Sequence, residues 1–195
     1  MKTHLSRRNI ISIDVESNGL YGQPFCVGAV EMDWGGRVYR HFLGRCPLDE
    51  VEDDWVLENV IPALEDIEET HKSLGEMQRD FVSWLCDAMA RNKNAIVLVD
   101  AGFPVDCNFL YNAIRSGSSE SGHKWIREKY SPYPLIDLAS VLAGAGLDPD
   151  ANRIEMASSL TKSTIATSSH HPVWDAETSA VCLVLAIRKI EACNA

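Results

Sequence analysis

The clearest pattern in the chain is a strict alternation over residues 9–16. Ile11, Ile13 and Val15 fall on one side, and Ser12, Asp14 and Glu16 on the other. Period-two alternation marks a strand, so this segment predicts a strand with carboxylates toward its C-terminal end. Ser17, Asn18 and Gly19 then read as a turn. Apolar runs at 25–32 and 37–43 are separated by Gly35 and Gly36 and predict a hairpin. Residues 46–72 are acidic and read as irregular, with a short helix at 55–60. Ser73 and Glu76 form a capping box, and Met77, Phe81, Trp84, Leu85, Ala88 and Met89 continue at helical spacing to about Arg91. A short apolar strand is predicted at 95–99, a helix at 105–114, a Ser- and Gly-rich loop at 116–122, and a strand running into a helix at 135–142. Pro172 suits the first position of a closing helix that reaches about Ile190. Antiparallel-type strands first, then alternating helices and strands, predict a mixed α/β sheet with helices on both faces.

Composition narrows this picture. The chain has 195 residues, 46% hydrophobic and 24% charged, which predicts a single globular domain over 1–195 rather than disorder. The net charge of −10 argues against a protein that coats long stretches of nucleic acid. It leaves room for an enzyme that grips a few nucleotides beside cation-binding carboxylates. Lys2, Arg7 and Arg8 make a small basic patch, read as a solvated tail. The six cysteines include no CxxC pair, which argues against a zinc ribbon and for buried thiols in a reducing, cytoplasmic compartment. No signal-peptide pattern and no membrane-length apolar run is apparent.

The chemistry concentrates in three places. Asp14 and Glu16, two apart on a strand, share a face about 7 Å apart and together suit a hard cation such as Mg²⁺ or Mn²⁺. They are equally the acids of a strand end turning into solvent. Asp14, Glu16, Asn18 and Gly19 loosely mimic a calcium loop, but Phe25 stands where that loop needs a bidentate Glu, and the flanks read as strands. Asp106 opens a predicted helix, where an acid also complements the helix dipole; Asp100, just after the 95–99 strand, is its rival. His170, His171 and Asp175 lie around the start of the closing helix. Histidine is the side chain suited to proton exchange near neutral pH.

Taken together, the run from Ile13 to Leu20, then Val105 and Asp106 with Phe109 and Leu110, then His170 followed by Asp175, Ala176 and Glu177, resemble the motifs of the DEDD 3′→5′ exonucleases. The resemblance is to the subgroup whose third motif carries histidine, and it spans about residues 10–185. It departs in one place: Ala101 and Gly102 stand where the family often has a His-Asn pair. The resemblance implies a ribonuclease H-like fold. It also implies release of nucleoside 5′-monophosphates from single-stranded DNA or RNA 3′ ends, assisted by two divalent cations, Mg²⁺ or Mn²⁺. Asp14, Glu16, Asp106 and Asp175 are the implied metal ligands and His170 the implied general base, with His171 as competitor. Ser17, Asn18, Gly19 and Leu20 are expected to line the terminal-nucleotide pocket, with Leu20 as a wedge beside the last base. Phe103 and Phe109 are expected to stack on bases, although helical spacing also suits Phe109 to a core. Trp174 is expected to pack on the sheet. A homodimer is compatible with the family. The competing functions are a non-catalytic nucleic-acid-binding module, a phosphoesterase acting on small nucleotides, and a structural α/β interaction protein.

Overall fold

A computed structural model describes residues 8–50, 53–92, 95–100, 102–116, 134–158 and 170–193. The predicted loop at 116–122 lies almost wholly outside these residues. Strands β1 (Ile10–Ser17), β2 (Pro24–Met32) and β3 (Val38–Arg45) form an antiparallel meander. β4 (Ile96–Val99) and β5 (Leu135–Asp137) add in parallel on the other side of β1, giving the order β3-β2-β1-β4-β5. The helices are α1 (Asp54–Asn59), α2 (Leu74–Arg91), α3 (Val105–Ser116), α4 (Leu138–Gly144), α5 (Arg153–Ser158) and α6 (Pro172–Cys193), with a 3-10 turn at Ile61–Leu64.

The alternation in β1 resolves into two cores rather than one core and one wet face. Ile11, Ile13 and Val15 pack with Phe81 and Leu85 of α2 and Phe109 of α3. Ile10, on the opposite face, joins Ala180, Leu183 and Ile187 of α6. Ser12 is therefore fully buried rather than solvated. A central strand covered on both faces is expected where parallel strands and crossover helices meet.

Helix starts follow local chemistry. Ser73 Oγ accepts from the Glu76 amide at 3.3 Å, as predicted, but Glu76 reaches back to the Lys72 amide at 2.7 Å, one residue before the expected partner. Asp53 caps α1 by accepting from the Val56 amide at 3.1 Å, and Asp137 caps α4 by accepting from the Ser140 amide at 2.7 Å. α5 was not anticipated.

Two expectations about aromatic residues are corrected. Trp174 does not pack on the sheet and is 39% exposed. The buried positions Pro172, Ala176 and Ala180 define the inner face of α6, and Trp174 lies two residues from 176, about 200° around the helix. Phe109 has no exposed surface and meets Phe81 edge-on at 5.1 Å, so it is a core residue and presents no face to a base. Of the cysteines, Cys26, Cys46 and Cys182 are buried, Cys86 and Cys107 half-buried and Cys193 exposed. No helix among the described residues is long and apolar enough to cross a membrane.

Candidate active site

The site forms at the carboxyl ends of the parallel pair β1 and β4, the edge where open α/β sheets commonly present their functional groups. The last paired residues are Ile13 and Val99, so Asp14 and Asp100 emerge side by side. β1 then bulges between Glu16 and Ser17, a device that re-aims side chains at a strand end.

α6 delivers the third element, and Gly28 makes its approach possible. Gly28 pairs with Asp14 across the β1–β2 ladder. A Cβ at Gly28 would lie 2.2 Å from the backbone of Pro172 and Val173. The missing side chain lets the first turn of α6 rest on the sheet beside Asp14, bringing Asp175 to the cluster. Sequence reasoning passed over this glycine; the available signal was a glycine inside an otherwise apolar strand.

His170, two residues before the start of α6, has a φ of +67°, in the left-handed region that non-glycine residues seldom occupy. Its backbone N–H donates to Asp175 Oδ2 at 2.6 Å, which fixes the turn. The ring is then held with Nδ1 3.7 Å from Glu16 Oε1, and Trp55 of α1 meets it edge-on at 5.3 Å. Ligand-capable atoms of Glu16, His170 and Asp175 all lie within 4.8 Å of one another. His171 is turned elsewhere, stacked on Trp174 at 4.1 Å. Of the two histidines, the geometry brings only His170 to the acids.

Asp106, in the first turn of α3, is buried, and the neighbouring backbone of Val15 and Asp100 favours its ionised carboxylate against that burial. Its rival Asp100 is bound by Arg153 of α5, whose Nε lies 2.9 Å from Oδ1. Arg153 is itself anchored on the carbonyls of Ala151 at 2.6 Å and Pro149 at 2.8 Å. Thus Asp100 has a protein counter-ion. This pairing, across 53 residues, was not foreseen.

The electrostatics show an uncompensated excess of negative charge at the carboxylates. Burial, then repulsion by Glu16, Asp106, Asp175 and Asp100, pushes the Asp14 carboxyl well above its usual range. Burial and Asp100 raise Asp106 to about 8. Burial raises Asp175 to about 6, against the lowering effect of the His170 amide. Glu16 raises His170, outweighing burial, whereas burial lowers His171. Oxygen donors that repel one another this strongly are the donor set that suits hard divalent cations.

Two cavities meet at this cluster. One, of about 320 Å³, is lined by Asp14, Glu16, Asp175, His170 and Arg153. The other, of about 460 Å³, joins Glu16, Ser17, Gly19, Leu20 and His170 to Asp53, Trp55, Val56 and Val60 of the α1 region. Ser17, Gly19 and Leu20 all line this second cavity. Asn18 instead staples the turn to the acidic segment: its Nδ2 donates to the Glu50 carbonyl at 3.0 Å, and its Oδ1 accepts from the Asp53 amide at 3.3 Å. Gly19, at φ +72°, has Asp53 Oδ2 2.7 Å from where a Cβ would sit. Sequence reasoning assigned α1 no part in this cavity; the available signal was an apolar Trp-Val pair inside an acidic run. Phe103 is 72% exposed near the start of α3.

No protein-family profile and no curated protein matches the chain. Solved structures do share its fold. S. pombe Pop2p, in its Mg²⁺ and Mn²⁺ bound form, aligns with a TM-score of 0.63 at 12% identity, over 93% of this chain and 83% of that one. A chain from the yeast NOT1 MIF4G domain co-crystallized with CAF1 aligns with a TM-score of 0.52 at 15% identity, over 96% of this chain and 80% of that one. The fold is the ribonuclease H-like α/β fold, with its mixed five-stranded sheet.

Proposed function

We propose that this protein is a metal-dependent 3′→5′ exonuclease that releases nucleoside 5′-monophosphates from single-stranded DNA or RNA. One observation carries the proposal: Asp14, Glu16, Asp106 and Asp175 converge with His170 at the parallel strand ends, and among the described residues no lysine or arginine pairs with these four acids as Arg153 pairs with Asp100. The fold shared with a protein determined with Mg²⁺ and Mn²⁺ bound supports the same reading, as does the three-motif resemblance to the histidine subgroup of DEDD exonucleases.

Asp14, Glu16 and Asp175 would hold one divalent cation, and Asp14 with Asp106 a second. Bound cations of this kind supply Lewis-acid polarisation of the phosphate and neutralise charge on the departing oxygen. The residues of the chain do the rest. Glu16, beside Nδ1 of His170, raises the ring's proton affinity and leaves Nε2 free to take a proton from water attacking the scissile phosphorus. The bond to the 3′ oxygen breaks, that oxygen is protonated from solvent, and the shortened strand keeps a 3′-hydroxyl. Leu20, Trp55, Val56 and Val60 form the apolar wall against which the terminal base would rest.

The test uses 5′-labelled single-stranded DNA and RNA oligomers in Mn²⁺, Mg²⁺ or EDTA, with Asp14→Ala alongside. The expected result is a one-nucleotide ladder receding from the 3′ end, lost in EDTA and reduced at least about 10³-fold in the variant. Intact oligomers under every metal condition would overturn the proposal and favour a small phosphoester substrate or a binding role. The two sugars' relative rates decide between DNA and RNA.

A further inference from the structure

A third cleft, of about 280 Å³, adjoins the cavity walled by α1. Ser17, Leu20 and Val105 line both, so Leu20, 63% exposed, stands as a ridge between them. The polar side chains of this cleft are Ser17, whose hydroxyl donates to the Gly19 carbonyl at 2.7 Å, and Asn108 and Asn112, one helical turn apart on the exposed face of α3. Tyr21, 79% exposed, contributes an aromatic face.

Among the described residues the lining contains no charged residue, in a chain of net charge −10. A phosphate subsite calls for cationic side chains, and a divalent-cation site calls for carboxylates. This cleft offers carboxamides, each both donor and acceptor, beside an exposed ring. Among the described residues neither Asn108 nor Asn112 has a side-chain hydrogen-bond partner. Carboxamides read base edges by paired hydrogen bonds, and single strands are recognised by such contacts together with stacking on aromatic rings.

We propose that the cleft is a nucleobase-reading subsite. The base preceding the terminal nucleotide passes over the Leu20 ridge and presents its hydrogen-bonding edge to Asn108 and Asn112. The inference rests on the exonuclease function proposed above and adds to it a preference for particular bases one position in from the end.

The experiment measures cleavage of 5′-labelled oligomers, RNA and DNA, that share a 3′-terminal nucleotide and differ only in the base before it. Wild-type rates should spread about 5- to 100-fold among the four bases. In Asn108→Ala/Asn112→Ala the spread should collapse to within about twofold. A second variant, Asn112→Asp, keeps the side-chain shape but only accepts hydrogen bonds, so it should re-order the four bases. Wild-type rates that ignore the base, a spread that survives the double substitution, or an unchanged order in Asn112→Asp would overturn the proposal. Absence of cleavage of every oligomer sinks the exonuclease function instead. Fluorescence anisotropy of the same oligomers then tests the cleft by itself: a base-dependent Kd that the double variant levels supports it, and equal Kd values overturn it.

Discussion

His170 satisfies a backbone constraint and a chemical one at the same position. Its left-handed backbone, φ +67°, costs an L-residue about 1 kcal/mol, and the Asp175 carboxylate holds it there through the 2.6 Å bond to its amide. In return the ring lies over Glu16. The two constraints separate by mutation. His170→Ala removes the ring and keeps the backbone cost, whereas His170→Gly removes both. Cleavage should fall about 10²- to 10⁴-fold in each, as for loss of a general base. In urea melts the glycine variant should nonetheless be more stable than the alanine variant by about 1 kcal/mol. Equal stabilities would show that the turn is not strained at this residue. Residues of this kind are only half legible in a sequence. A histidine five positions before an aspartate can be read from the chain; the left-handed turn that aims it, and the preference for His170 over His171, depend on how the segment meets α6.

At the scale of elements, α6 can serve the site only because β2 carries no side chain at Gly28. Gly28→Ala would push a methyl group into the Pro172–Val173 backbone, destabilising the fold by about 3 kcal/mol and displacing Asp175. Single-turnover rates measured well below the melting temperature should fall about 10²-fold, the cost of moving a catalytic group by about 1 Å; an unchanged rate would show that α6 is positioned by other contacts. The opposite end of the sheet provides a contrast. Glu31 of β2 is buried against Arg40 at 3.4 Å, Arg91 at 3.7 Å and the Asn92 amide, and α2 ends at Arg91. Glu31→Ala should cost about 2–3 kcal/mol in urea melts, below the full range for a buried pair because both arginines reach solvent, with cleavage at low temperature retained. The strands and the long helices were legible because each depends on local periodicity, with a capping residue at the start of α2 and a proline at the start of α6. α5, one and a half turns long, carries too few apolar positions to show a period. Its use lies in the Arg153–Asp100 pair, which a sequence pattern does not reveal. The short helix α1 was legible within its acidic surroundings, but not that it walls the cavity beside Glu16 and His170.

For the whole molecule, concentrating acid at one edge of the sheet opposes folding and favours cation binding. Without cations, Asp14, Asp106 at about 8 and Asp175 at about 6 keep protons in the native state that the unfolded chain, with carboxyls near 4, has released. A native state that binds more protons loses stability as pH rises. His170, also raised, acts in the same direction, while His171, lowered by burial, opposes it only around pH 6. The lowered carboxyls Asp33 and Asp137 are fully ionised in both states above about pH 5 and add no slope there. The melting temperature in EDTA should therefore fall between pH 6.5 and pH 8.5. Saturating Mn²⁺ should flatten or reverse that fall, because occupied carboxylates no longer need protons, and a ligand at a hundred times its Kd adds about 2.7 kcal/mol. Asp106→Asn separates the two effects, since the amide resembles the protonated acid but cannot ligate as a carboxylate. In EDTA at pH 8 this variant should melt above wild type, and its Mn²⁺-induced shift should shrink. A variant that melts lower and still gains the full Mn²⁺ shift would show that Asp106 is a structural acid and that the cations are held by Asp14, Glu16 and Asp175 alone.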